Sequence, residues 1–237
     1  MEIDGVLLLD KPKGPTSHDL VDRVRRKFNL KKVGHCGTLD PAATGLLMLV
    51  LGKATKIQDL LMAEDKVYAG TLKLGEATDS QDAQGVVTAT LPVPELTREQ
   101  IDAAFAKFTG DFYQIPPMVS ALKKDGVPLY KLARAGKTVE REPRLVHVYK
   151  HAIQSVELPH IRFELTCSKG FYVRTYCHDI GDVLGCGAHL TELIRLRSGN
   201  FSLDQASTWE ALDALGGTRE LESRVLSLAE VSRLRRR

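Results

Sequence analysis

Residues 34–47 read GHCGTLDPAATGLL, and they say more about this chain than any other stretch. They place one carboxylate, Asp40, in a glycine-rich loop directly before an apolar run at residues 46–51. A residue that precedes proline is kept out of the helical conformation, so Asp40 is predicted at a turn. Two interpretations are open at this point. Either Asp40 only starts a turn, as Asp-Pro commonly does, or the loop presents a reactive carboxylate.

The spacing of apolar residues around this loop predicts an α+β fold, with a mixed, mainly antiparallel sheet and flanking helices. Thr16 or Ser17 is predicted to cap a helix, and Thr97 opens a capping box, TREQ. The last strongly structured pattern ends near Leu228. The predicted strands are residues 5–9, 46–51, 67–74, 86–91, 145–158 and 161–167, while residues 171–184 and 188–196 are predicted as helical or mixed.

Composition excludes several protein classes. The chain has 237 residues, of which 43% are hydrophobic and 27% charged, which is typical of a globular protein with a sizeable core. It shows no apolar run of membrane-spanning length and no signal-peptide layout at its start, and its four cysteines show no paired spacing. We therefore expect a cytoplasmic protein that does not bind membranes.

Charge is distributed unevenly along the chain, although the net charge is only +3. Residues 11–35 hold eight Lys or Arg against two acidic residues, and residues 123–150 hold eight against three. Residues 76–102 reverse this balance, with six acidic residues and Arg98 as the single base. Solvated helix faces would explain such clusters. A surface that faces a polyanion would explain them as well.

Three further stretches decide between these interpretations. Residues 11–17 read KPKGPTS, residues 66–70 read KVYAG and include Tyr68, and residues 168–174 read SKGFYVR. Together with the Asp40 loop, and in this order, they closely resemble the motifs of the TruB-type tRNA pseudouridine synthases. The resemblance runs from about residue 3 to about residue 210.

The resemblance implies the pseudouridine synthase fold and the isomerisation of uridine to pseudouridine, at position 55 in the T-loop of tRNA. Asp40 matches the family's nucleophile. Arg174 is then its natural partner, because a planar guanidinium can bind a carboxylate with two hydrogen bonds. The reaction needs no cofactor and no metal, and no obligate protein partner is evident. The expected partner is the T-arm of tRNA.

Four side chains are expected to bind the substrate through the same resemblance. Tyr68 matches the family's base-stacking tyrosine, and Tyr172 is the second aromatic candidate. His35 would occupy the gap left by the flipped base or contact RNA close to it. Leu193, which we expect on a helix, matches a position that lines the uracil pocket. Lys11 and Pro12 are expected to brace the Asp40 loop rather than take part in the chemistry.

Rival functions have weaker support. Five Cys and His residues between positions 167 and 189 lack the close Cys pairs of structural zinc sites. Residues 51–55, LGKAT, approach a phosphate-binding loop, but Leu47 stands where its first glycine belongs and Ala54 follows Lys53. A non-catalytic RNA-binding or RNA-folding module would explain the charge, but it gives no reason for the Asp40 loop.

The domain organisation is expected to be simple. Residues 1–210 are predicted to form the catalytic domain, and residues 211–237 a short extension with a basic tail, too short for the RNA-binding domain that bacterial members usually carry. Cys36, although close to Asp40, is predicted to be a packing residue, since no thiolate-stabilising cluster surrounds it.

Overall fold

The computed structural model describes residues 3–120 and 122–235. The strands are β1 (Gly5–Lys11), β2 (Val33–His35), β3 (Thr44–Leu51), β4 (Lys66–Leu74), β5 (Glu76–Thr78), β6 (Val87–Thr90), β7 (Gly110–Gln114), β8 (Lys123–Lys124), β9 (Val127–Pro128), β10 (Arg144–Glu157), β11 (His160–Cys167), β12 (Ala188–Ser198), β13 (Phe201–Ser202), β14 (Ser207–Thr208) and β15 (Val225–Leu226). The helices are α1 (Ser17–Lys27), α2 (Gln58–Met62), α3 (Arg98–Ala106), α4 (Leu129–Arg134), α5 (Val173–Val183), α6 (Trp209–Asp213), α7 (Thr218–Glu222) and α8 (Leu228–Arg235), with 3₁₀ turns at Gly52–Ile57 and Leu203–Gln205.

The chain divides into two compact units. Unit 1 comprises residues up to 68 and from 193 onwards, and unit 2 comprises residues 69–192. Within the described residues, no helix is long and apolar enough to cross a membrane.

Unit 1 is built on the antiparallel pair β1 and β3, whose register runs from Gly5 opposite Leu51 to Lys11 opposite Gly45. The sheet order is β14-β1-β3-β12, with β2 also paired to β3 and β15 to β1. β12 runs parallel to β3 where Arg195 lies opposite Gly45. This register places residue 195 beside the start of β3, directly after the Asp40 loop.

The apolar run at residues 46–51 is continuous because both faces of β3 are buried. Leu47, Leu49 and Leu51 pack towards α1 together with Leu212 and Leu221. Leu46 and Met48, on the other face, pack with Phe201 and other side chains that include Val231. A strand covered on both faces needs apolar residues at successive positions, not only at alternate ones.

Unit 2 contains the strand order β4-β11-β10-β7 and two small hairpins, β5-β6 and β8-β9. β10 pairs with both β11 and β7 in antiparallel fashion. The late sequence motif, residues 168–174, ends in the first turn of α5. A hairpin turn joins β8 to β9, with Asp125 and Gly126 both at positive φ.

Two parts of the sequence-based assignment are wrong. Residues 188–198 form the strand β12, so Leu193 lies on a strand and not on a helix. Leu190, Leu193 and Ile194 have helical spacing, but pairing with β3 and β13 overrides this local preference. The structure also continues past Leu228, because α8 extends to Arg235 and buries Val231. The last two arginines of the predicted basic tail lie outside the described residues.

Candidate active site

The Asp40 loop connects β2 to β3 in unit 1. The carbonyl of Asp40 accepts a hydrogen bond of 3.0 Å from the Ala43 amide, which closes a turn at Pro41. The side chain of Asp40 is partly buried. The predicted turn is therefore present, and the chemical role of the carboxylate depends on what surrounds it.

Lys11 lies beneath this loop and has no accessible surface. Its ammonium donates hydrogen bonds to the carbonyls of Ala43 at 2.7 Å, Pro12 at 3.1 Å and Pro41 at 3.2 Å. Burial lowers the pKa of Lys11 from its ordinary value of 10.5 to about 8, while the negative charge of Asp40 opposes this shift. The prediction that Lys11 braces the loop is confirmed by these bonds.

The loop at residues 11–17 holds the Asp40 loop at two further points. The Ser17 hydroxyl accepts a hydrogen bond of 2.9 Å from the Leu39 amide and lies 3.1 Å from the Leu39 carbonyl. The Gly14 amide donates to the Pro41 carbonyl at 2.8 Å. Both flanks of Asp40 in sequence are thus tied to the same neighbouring loop.

Arg195, on β12, fixes the Asp40 loop from the other side, and sequence analysis missed it. Only 1% of this arginine is exposed. Its Nε donates to the Leu46 carbonyl at 2.7 Å, and one terminal nitrogen donates to the Gly37 carbonyl at 3.1 Å. The two acceptors stand before and after Asp40 in the chain, so one guanidinium joins the two ends of the loop.

Gly45 shows why this part of the motif requires glycine. Its φ is +98°, and a Cβ at this position would lie 2.4 Å from the carbonyl oxygen of Arg195. Any side chain would therefore separate β3 from β12 and displace Arg195.

His35 ends β2 and is partly buried. Burial is the main cause that lowers its pKa, and the nearby positive charge of Arg195 adds to the effect, so the ring is neutral at pH 7. Its Nδ1 has no hydrogen-bond partner among the residues that the structure describes. Tyr68, on β4, is 9% exposed, and Leu193, on β12, is partly buried.

Arg174 lies in the first turn of α5 in unit 2 and is 4% exposed. Its terminal nitrogens donate to the carbonyls of Ser80 at 3.0 Å and Val119 at 2.7 Å. Its Nε lies 3.7 Å from a carboxylate oxygen of Asp82. The predicted pair of Arg174 with Asp40 joins residues of different units, and it stays a prediction.

Tyr172 immediately precedes α5, and its backbone is held by the side chain of Gln114. The Tyr172 amide donates to Gln114 Oε1 at 2.8 Å, and Gln114 Nε2 donates to the Tyr172 carbonyl at 3.0 Å. Gln114 is 2% exposed. Sequence analysis did not single it out, because a lone glutamine on a strand carries no recognisable pattern.

Among the described residues, one group of His, Cys, Asp or Glu brings its possible metal-ligand atoms within 4.8 Å of one another: His178, Asp179 and Asp182. All lie on α5, and burial raises the pKa of Asp179 to about 6. The four cysteines are buried free thiols, and burial raises the pKa of Cys36 to about 12. Such a thiol is a packing group and a poor nucleophile.

Two family models match this chain. The model of the TruB family pseudouridylate synthase N-terminal domain matches residues 25–173. The model of the tRNA pseudouridylate synthase B C-terminal domain matches residues 174–231. The first match contains the Asp40 loop and ends one residue before Arg174.

The chain is also similar to curated proteins over nearly its whole length. It is 54% identical to tRNA pseudouridine synthase B of Opitutus terrae over 98% of this chain and 95% of that protein. It is 50% identical to tRNA pseudouridine synthase B of Syntrophotalea carbinolica over 98% of this chain and 75% of that protein.

A solved structure of a Cbf5-Nop10-Gar1 complex contains a chain of similar fold, with a TM-score of 0.75 and 28% identity over 97% of this chain and 62% of that chain. A structure of an H/ACA RNP bound to a substrate RNA containing 2′-deoxyuridine gives a TM-score of 0.65 and 29% identity, over 87% of this chain and 51% of that chain. This chain therefore spans between half and two thirds of these solved chains.

Proposed function

The chain belongs to the TruB family of pseudouridylate synthases, so it isomerises uridine to pseudouridine in RNA, and we propose that its substrate is uridine 55 in the T-loop of tRNA. The curated relatives act on tRNA according to their names. The fold is the α+β fold of this enzyme class, with a mixed, mainly antiparallel sheet.

The observation that carries the proposal is the way the Asp40 loop is held. Two fully buried cations, Lys11 and Arg195, bind main-chain carbonyls within the loop or at its ends. A loop that only turned the chain would not need two buried charges, each of which costs free energy to remove from water. A loop that presents an ionised carboxylate gains from both, because positive charge favours the ionised form.

The reaction breaks the bond between N1 of uracil and C1′ of ribose, turns the base, and joins C1′ to C5. Asp40 is the nucleophile and attacks the sugar or the uracil ring. When the new carbon–carbon bond has formed, C5 releases its hydrogen to solvent and N1 gains a proton. No step transfers electrons to an outside acceptor.

The uridine must leave the stacked RNA before Asp40 can reach it. Flipping costs a few kcal/mol, roughly, in stacking and pairing energy. Stacking on an aromatic side chain returns about 1–3 kcal/mol per base, so Tyr68 and Tyr172 offset most of this cost. Leu193 lines the uracil site. His35, as a neutral ring, contacts the RNA next to the flipped base.

Arg174 is proposed to pair with Asp40 in the active enzyme. The chemistry of the side chain supports this role, since a planar guanidinium can bind a carboxylate with two hydrogen bonds and keep it charged and oriented. Gln114 then sets where α5 begins and so where Tyr172 and Arg174 lie.

We assign catalysis to residues 1–210 and treat residues 211–237 as a short extension. The described part of that extension belongs to unit 1 and packs in its two hydrophobic clusters through Leu212, Leu221 and Val231. The T-arm is bound by the two basic segments at residues 11–32 and 123–150. The compartment that suits this substrate is the cytoplasm.

The decisive experiment is release of tritium from tRNA that carries C5-labelled uridine. The purified chain should release one tritium per modified uridine, because the new bond expels that hydrogen. A tRNA in which uridine 55 is replaced by cytidine should release none. Binding without release from any tRNA would favour the alternative, a non-catalytic RNA-binding or RNA-folding module.

A further inference from the structure

Unit 1 contains a cavity of about 440 Å³ at the end of β1 and β3 that is remote from Asp40. Four lysines line it, together with one carboxylate: Lys31, Lys32, Lys53, Lys56 and Asp4. We refer to these five residues and the space between them as the lysine pocket. Two of the lysines come from the segment before β2, and the other two follow β3.

The backbone around the lysine pocket is fixed by hydrogen bonds. The Gly52 amide donates to the Lys32 carbonyl at 3.0 Å, which joins the two lysine-bearing segments. Asp4 accepts a bond of 2.7 Å from the Lys53 amide, and its carboxylate lies 3.1 Å from the Lys53 ammonium. These bonds with Lys53 lower the pKa of Asp4, so it is ionised at neutral pH.

Among the described residues that line the lysine pocket, positive charge is in excess. Lys53 lies beside the one carboxylate, Asp4, and the exposed side chains of Lys32 and Lys56 bring further positive charge. A concave surface lined by one sign of charge focuses the electric field and attracts counter-ions. An anion of small size and high charge fits this arrangement, because lysine binds phosphate as a point charge.

The lysine pocket lies far from the reacting carboxylate. Gly45 touches Arg195 at the Asp40 end of β3, and Gly52, seven residues later, lines the lysine pocket. At about 3.3 Å per residue, the two ends of the strand are roughly 23 Å apart. An RNA whose flipped uridine lies at Asp40 is long enough to reach the lysine pocket as well.

We propose that the lysine pocket binds a backbone phosphate of the substrate RNA, roughly 23 Å from the uridine that Asp40 attacks. This inference rests on the proposed function for the identity of the RNA. It also gives a role to residues 51–55, which failed as a nucleotide-binding loop because Leu47 and Ala54 replace required residues. Lys53 and Lys56 bind phosphate without hydrolysing a nucleotide.

The test is the salt dependence of binding, measured with whole unmodified tRNA and the full chain. Each phosphate contact contributes about −0.7 to −0.9 to the slope of log affinity against log salt. Lys56→Gln should make the slope less steep by about that amount, and Lys53→Gln together with Lys56→Gln by about twice as much. Lys107→Gln is the matched control, because Lys107 is an exposed lysine of unit 2 outside the lysine pocket.

Two further experiments sharpen the test, one with a shorter RNA and one with inorganic phosphate. A short RNA that carries only the T-loop should bind both the wild type and the double variant with equal affinity, because we do not expect it to reach Lys53 and Lys56. Inorganic phosphate, added at constant ionic strength, should weaken tRNA binding to the wild type more than to the double variant. Thermal unfolding checks that all variants fold.

The outcomes separate this inference from the proposed function. If Lys56→Gln and the double variant keep the slope of Lys107→Gln, the lysine pocket does not bind RNA and the inference is overturned. If the double variant loses as much affinity for the short RNA as for whole tRNA, the stated distance between Asp40 and the phosphate site is overturned. If the wild type releases no tritium from tRNA but the slopes change as expected, the proposed function fails and the phosphate site stands.

Discussion

Two buried arginines, Arg195 in unit 1 and Arg174 in unit 2, invite comparison. They are 1% and 4% exposed, and each donates hydrogen bonds to two main-chain carbonyls. Arg195 uses acceptors that flank one loop, Gly37 and Leu46. Arg174 uses acceptors from segments far apart in sequence, Ser80 and Val119, and it also has Asp82 at 3.7 Å.

We interpret this difference as that between a structural tie, Arg195, and the proposed partner of Asp40, Arg174. Both acceptors of Arg195 flank the Asp40 loop, so its effect on the reaction passes through the position of Asp40. Arg174 stands in the first turn of α5, shortly after Tyr172, a predicted substrate-binding residue. We therefore expect substitutions of either arginine to reduce stability, and substitutions of Arg174 to reduce turnover more than those of Arg195.

The largest effect is expected when the carboxylate of Asp40, the proposed nucleophile, is removed. Asp40→Asn keeps the shape of the side chain and its turn but loses the nucleophilic charge. Tritium release from tRNA should become undetectable, while the dissociation constant for tRNA stays within a few-fold of wild type. Turnover close to that of the wild type would show that Asp40 only forms a turn, and the comparison of the two arginines would lose its basis.

Arg174→Lys should have the next largest effect. A point charge does not reproduce the planar fork that binds a carboxylate, so turnover at saturating tRNA should fall roughly 100-fold or more. Because Arg174 also donates to the carbonyls of Ser80 and Val119, the free energy of unfolding in urea should fall as well, by about 1–3 kcal/mol. If Arg174 instead bound a phosphate, lysine would be tolerated and the salt dependence of binding would change, a result that would reject the pair with Asp40.

Arg195→Lys tests the other half of the comparison. The two bonds of Arg195 leave from different nitrogens of the guanidinium, whereas lysine has a single nitrogen. We therefore expect one of the two carbonyls, of Gly37 or Leu46, to lose its donor, at a cost of about 1–3 kcal/mol. Unfolding in urea should report a loss of that size, accompanied by a smaller loss of turnover than Arg174→Lys gives. The matched control is Arg197→Lys, since Arg197 is an exposed arginine on the same strand. Equal stability of the two variants would contradict the role of Arg195 as a tie.

Lys11→Met should have the smallest effect on turnover and a distinctive dependence on pH. The pKa of Lys11 is about 8 in the folded chain and 10.5 when unfolded. Between these values the unfolded chain binds more protons, so the free energy of unfolding contributed by this site rises with pH. Below pH 8 the cost of burying the charge is fully present.

The stability of wild type relative to Lys11→Met should therefore increase from pH 8 towards pH 10, as measured by urea unfolding at each pH. The variant should be the less stable protein throughout, because three carbonyls lose their donor. Lys13→Met, at an exposed lysine in the same loop, should show no such trend. A stability difference independent of pH would show that the pKa of Lys11 is ordinary.

The features that could be predicted from the sequence are those set by neighbouring residues. The capping boxes at Thr16 and Thr97 depend on residues three positions apart, and the structure contains both. The sheet and the buried run at residues 46–51 followed from apolar patterning. The motif around Asp40 identified the family, and the family comparisons confirm it.

The features that were missed depend on long-range pairing. Arg195 reads as an ordinary charged residue of an amphipathic segment until β12 is placed beside β3. Gln114 is recognisable only once its side chain meets the backbone 58 residues later. The lysine pocket joins the start of the chain to residues that flank β2 and β3, and no local pattern links them.

Because Lys11 has no accessible surface, the rate of its chemical labelling can measure the opening of the Asp40 loop. An amine-reactive reagent can acylate Lys11 only after the loop has moved away, so the labelling rate reports the free energy of that local opening. Lys13, which is exposed in the same loop, is acylated without any opening and supplies the reference rate. Mass spectrometry of the peptide that contains both lysines would thus show what fraction of the protein has the Asp40 loop closed.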